Sequence, residues 1–98
     1  EKDLWKAEEF NSASGLHSEA LEFSNWIIAL MNGDGLSAES QATLFKDQIT
    51  VENAPNLLTE EGSIAWTLGL AKYDLNGKIV YGHEGNNDGF NCLFLIDK

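Results

Sequence analysis

The stretch IAWTLGLAKYDLNGKIVYGH, residues 64–83, decides how this chain folds. Ile64, Trp66, Leu68 and Leu70 alternate with Ala65, Thr67, Gly69 and Ala71, the period-two pattern of a strand with one bulky and one small face. Asp74-Leu75-Asn76-Gly77 then reads as a tight hairpin turn, because Asn-Gly accepts the positive φ angles that such turns need. Residues 78–83 are the return strand. A second turn signal, Asn87-Asp88-Gly89, leads into FNCLFLID, residues 90–97. The expectation is a three-strand antiparallel meander.

The last of these strands is apolar on both sides. Phe90, Cys92, Phe94 and Ile96 share one side, and Leu93 and Leu95 the other. Such a strand expects cover on both faces. Two helices upstream supply one cover; the other must come from helices that wrap further, from self-association, or from residues outside this linear segment. Cys92, among apolar neighbours, is expected to be a buried structural thiol.

The helices precede the strands. Ser18 is the expected N-cap of the first, with Glu19 and Glu22 near the positive end of its dipole. Ala20, Phe23, Ile27, Leu30 and Met31 fall on one face, with Trp26 beside them. Asn32-Gly33 is its stop signal. A second, shorter helix starts after Ser37 and carries Ala38, Leu44 and Phe45. From Ile49 to Gly62, around the lone Pro55, periodicity fails and a loop is expected. The fold class is α+β: two helices followed by the meander, in one domain over 1–98 with a peripheral start over 1–12.

Charge narrows the function. Sixteen acidic residues stand against six basic ones, all lysine, for a net of −10. Nucleic-acid binders neutralise phosphates with clustered Lys and Arg, so that class is excluded, and attachment to an anionic membrane is disfavoured. No run is long enough to span a membrane. One cysteine permits neither an internal disulfide nor a thiolate metal cage, and neither histidine has zinc-site spacing. No cofactor and no metal is expected. The compartment stays open: cytoplasmic, periplasmic or extracellular.

The order of parts points further. SASGLHSEALEFSNWIIALMNGDGLSAES (12–40), WTLGLAKYD (66–74) and YGHEGNNDGFNCLFLID (81–97) occur in that sequence. Together they resemble the C-terminal portion of the serine beta-lactamase-like family of class C beta-lactamases, D-alanyl-D-alanine carboxypeptidases and related esterases. There, Gly-Gly-Leu-x-Ser-Thr starts a helix ending in Asn-Gly-Gly, and Leu-Ser-x-Glu opens the next. Gly15-Leu16-His17-Ser18, Asn32-Gly33 and Leu36-Ser37-Ala38-Glu39 match that phrasing. The resemblance covers about residues 13–98.

It implies a beta-lactamase/transpeptidase-like fold in which His83-Glu84-Gly85 stands where the family has Lys-Thr-Gly or His-x-Gly. A donor at the first position holds substrate or supports proton transfer. Glycine at the third lets an acyl group approach the backbone. A backbone N–H just beyond helps to complete an oxyanion hole. His83 and Gly85 are thus the candidate catalytic positions, with Glu84 and Asn86 lining the substrate. Glu84 departs from the pattern, because an ionised carboxylate only accepts hydrogen bonds where Thr or Ser donates.

The attacking half of the chemistry is missing. No serine has a lysine three residues later, and neither tyrosine heads a Tyr-x-Asn. The resemblance therefore implies a C-terminal fragment of a larger hydrolase, active by acyl-serine transfer on a lactam, amide or ester, with its nucleophile upstream. The start at Glu1 without methionine fits an excised segment. The alternatives stand beside this: His83 as an ordinary strand residue hydrogen-bonded to backbone, and the chain as a non-catalytic acidic α+β module that binds peptides or protein through its uncovered sheet face. A Ser63–His83–Asp88 triad has no nucleophile elbow to support it.

Overall fold

A computed structural model describes residues 16–52 and 62–98. It contains α1 (Ala20–Asn32), α2 (Ala38–Leu44), β1 (Ile49–Thr50), β2 (Ala65–Trp66), β3 (Ala71–Leu75), β4 (Lys78–Asn87) and β5 (Phe90–Ile96). The strands form one antiparallel sheet in the order β1-β2-β3-β4-β5. The α+β class stands as expected, but the described sheet has five strands where three were expected.

Two local features account for the difference. The alternating run 64–71 is not one strand. At Thr67 the chain folds back: the Thr67 N–H donates to the Leu70 carbonyl at 2.8 Å, the Leu70 N–H donates to Thr67 Oγ1 at 3.2 Å, and Gly69 takes φ +100°. Residues 65–66 and 71–75 become neighbouring strands. Leu70 is therefore buried and Leu68 exposed, although they were expected on one face. Part of the expected loop is also strand. The Gln48 and Val51 N–H groups donate to the Trp66 and Ile64 carbonyls, which places Ile49–Thr50 beside β2. Residues 53–61 of that loop, and the peripheral start, lie outside the described residues.

The β3–β4 turn is as expected. Asn76 (φ +57°) and Gly77 (φ +90°) both take the left-handed angles, and the Gly77 N–H donates to Asp74 Oδ1 at 2.6 Å. The return strand continues through the expected 78–83 to Asn87, and Asp88-Gly89 turns it into β5.

The N-cap of α1 is Glu19, not Ser18. Its carboxylate accepts from the N–H groups of Leu21 and Glu22, giving two orphan donors a charged partner. Gly33 (φ +72°) stops the helix as expected, and Gln41 Nε2 donates to the Met31 carbonyl, tying α2 to that end. Ser37 caps α2 through a hydrogen bond from the Ser40 N–H.

The core lies on both faces of the sheet. On the helix side Phe45, Leu70 and Ile96 (0% exposed) are buried, with Ile27, Leu30, Leu44, Tyr81 and Phe94 against them. Phe23 and Trp26 of α1 reach Phe94, with ring centroids 5.2 and 6.0 Å away. Met31 and Ala20, expected on the inner face of α1, are exposed. On the opposite side Ala71, Val80 and Tyr73 (1% exposed) are buried, with Trp66 and Leu75 packed beside them. That face is thus covered over β3 and the start of β4. It opens toward β5, where Leu93 (43%) and Leu95 (39%) are exposed. Among the described residues, no helix is long and apolar enough to cross a membrane.

Candidate functional site

The candidate positions occupy the second half of β4. Across the ladder His83 faces Phe94, Glu84 faces Leu93, Gly85 faces Cys92 and Asn86 faces Asn91. The β3 ladder reaches only Gly82, which pairs with Ala71. Among the described strands, β4 from His83 onward is therefore bonded to β5 alone. This geometry follows from the turn at 67–70, which consumes residues that would otherwise have extended β3.

Gly82 permits this geometry. A Cβ there would run into the backbone carbonyl oxygen of Phe94 and touch the Leu95 side chain. At Gly85 a Cβ would lie 2.6 Å from Cys92 Sγ, so the thiol leans over that glycine. Cys92 is exposed, not buried as expected. The aromatic cover from α1 ends at Phe94, and Gly85 opposite supplies no side chain to shelter the sulfur.

His83 is exposed, with two restraints on its ring. Nδ1 lies 2.6 Å from the Glu84 carbonyl oxygen, and Trp66 packs edge-on at 5.6 Å between centroids and 76° between planes. A carbonyl only accepts, so Nδ1 carries the proton and the lone pair of the neutral ring resides on Nε2. Such a ring is oriented to accept a proton at Nε2. It is not oriented by a carboxylate, so the triad with Asp88 has no geometry here. Glu84 and Gly85 are half-buried and Asn86 is exposed.

The expected return strand stopped at His83, whereas β4 carries Glu84, Gly85 and Asn86 as well, and Trp66 was missed as the ring that flanks His83. The isolated Gly69 was the available signal that the chain turns back there.

The hydroxyl groups near the helices are already employed. Ser18 donates to the carbonyl of the N-cap Glu19, Ser24 to that of Ala20, and Ser37 to Ser40 Oγ. A groove on α2, lined by Glu39, Ser40, Thr43, Leu44 and Leu68, shares no residue with the β4 segment. Among the described residues, no group of histidine, cysteine and carboxylate side chains could hold a metal ion. No family model, no curated protein and no solved structure matches this chain.

Proposed function

We propose that the β4–β5 ribbon is the substrate-side wall of an acyl-transfer pocket, in a serine hydrolase of the beta-lactamase-like kind whose nucleophile comes from outside this segment. The observation that carries it is the His83 ring. It is held at Nδ1 by backbone, its neutral tautomer leaves the basic lone pair on Nε2, and it sits two residues from a glycine on a strand edge that has no partner among the described strands. A general base or substrate donor needs that combination of orientation and access. Gly85 leaves the adjacent backbone open to a bound acyl group.

The reading frame encoding the chain tests this directly. Ser-x-x-Lys and Tyr-x-Asn upstream, with His83→Ala in that protein lowering kcat at least about tenfold, would support the proposal. A frame without them sinks it. The 98-residue chain alone is expected to leave nitrocefin and p-nitrophenyl esters intact.

A second reading rests on a different observation. Phe90, Leu93 and Leu95 are exposed along one strand, as in a module that binds protein rather than transforming a substrate. A chain that binds peptide with His83 replaced by alanine, and lacks hydrolysis in any longer form, would favour it.

A further inference from the structure

Trp66 and His83 meet although their strands are not neighbours. The register places Trp66 opposite Ala71 and Ala71 opposite Gly82. Both small residues are buried, so only a methyl group and a hydrogen stand in that row between Trp66 and β4. The indole packs on the cluster of Ala71, Tyr73 and Val80 and reaches the imidazole of His83, the residue after Gly82, at 5.6 Å and 76°. Aromatic pairs favour such edge-to-face contacts.

The two rings are anchored unequally. The Trp66 carbonyl accepts from the Gln48 N–H at 2.8 Å. The buried Thr67 that follows donates through Oγ1 to the Leu70 carbonyl and accepts there from the Leu70 N–H, each at 3.2 Å. Backbone on both sides of the indole is therefore fixed. His83 is exposed, and its Nδ1–H bond runs to the carbonyl of its own neighbour. The torsion that turns an imidazole is broad and roughly two-fold, and a half-turn puts carbon where Nδ1 stood. One hydrogen bond from an exposed ring leaves that turn open, and a second contact on the ring restrains it. We propose that Trp66 is a positioning residue for His83: the indole, set by the turn at 67–70, holds the imidazole with Nδ1 on the Glu84 carbonyl and the lone pair on Nε2. The catalytic meaning of this arrangement rests on the hydrolase reading; the ring geometry does not. Trp66 also covers the cluster beneath it, but that role alone would change stability without moving a proton between ring nitrogens.

Long-range proton–nitrogen spectra of the 98-residue chain, taken at a pH where His83 is neutral, separate the two roles. Trp66→Leu is expected to lower the ratio of Nδ1–H to Nε2–H tautomer about threefold or more, and Trp66→Phe to keep most of it because an aromatic edge remains. Thr67→Val keeps the indole but removes the side-chain hydrogen bonds of its turn, and shifts the ratio in the same direction by less. Circular dichroism checks that each variant keeps its fold. An unchanged ratio in Trp66→Leu overturns the proposal, as does a Trp66→Phe ratio that falls as far as that of the leucine variant. If Trp66→Leu does not fold, an unchanged ratio in Thr67→Val overturns it instead. Failure here leaves the hydrolase reading standing, because upstream Ser-x-x-Lys and Tyr-x-Asn decide that; a frame without those motifs leaves the expected ratios as they are.

Discussion

Nδ1 of His83 lies 2.6 Å from the backbone carbonyl oxygen of its own neighbour, Glu84. The strand's own backbone thus fixes one ring nitrogen, while Trp66 flanks the ring edge-on. The neutral ring is expected in the Nδ1–H tautomer. Long-range proton–nitrogen correlation spectra check this, since the two ring nitrogens shift differently when protonated. An Nε2–H pattern would remove the orientation on which the proposed function rests.

Gly82 and Gly85 lie three positions apart on β4 and differ in what they tolerate. Alanine at 82 meets backbone, which cannot swing aside, and is expected to cost about 1–3 kcal/mol. Alanine at 85 meets only the Cys92 thiol, which rotates away, and should cost about 0.5 kcal/mol or less. Urea unfolding of the two variants gives the order; a reversal would contradict the ladder geometry.

The β3–β4 turn depends on two residues in left-handed backbone and one carboxylate. Replacing Gly77 by alanine is expected to cost about 1–2 kcal/mol. Replacing Asp74 by alanine frees the Gly77 N–H and costs about 1 kcal/mol. Thermal melts measure both, and the double variant should cost less than the sum because the residues share one hydrogen bond.

Lys72 bonds to Asp47 across the sheet edge at 2.9 Å. That hydrogen bond, with the Coulombic pull of Asp47 and Tyr81, holds the ammonium pKa above its ordinary 10.5, against the opposing effect of partial burial. A raised folded-state pKa stabilises fully below the unfolded value and is lost as pH climbs through the folded one. Stability should therefore fall above about pH 10.5 through this pair. Lys72→Met should flatten that part of a pH series of chemical denaturation curves, and an unchanged alkaline slope would show that the pair contributes nothing.

Much of the fold was legible where one residue settles one backbone choice. Asn76-Gly77, Gly33 and Ser37 each act through a local angle or hydrogen bond, and each does what its chemistry dictates. The split of 64–71 was hidden because alternation survives when a strand folds back through four residues; only Gly69 breaks the pattern. β1 was hidden by its length, since two residues hold no period. The helix start moved from Ser18 to Glu19 because either side chain can accept the orphan N–H groups. At the candidate site, the strand could be read only as far as His83, because the glycine and asparagine that follow carry no alternation. The ring contact from Trp66 and the exposure of Cys92 depend on tertiary reach, on which spacing is silent.

The sheet meanders, each strand pairing with its predecessor, and this bears on how quickly the chain finds its native state. β3 and β4 close across two residues and β4 and β5 across another two, so these hairpins need little loop entropy. β1 must instead wait for β2 across the residues between Thr50 and Ala65. Contacts near the Tyr73–Val80 rung should therefore form early in the folding transition state and those of Ile49 late. A φ-value series reads that order, with high values at the hairpin and values near zero at the first strand.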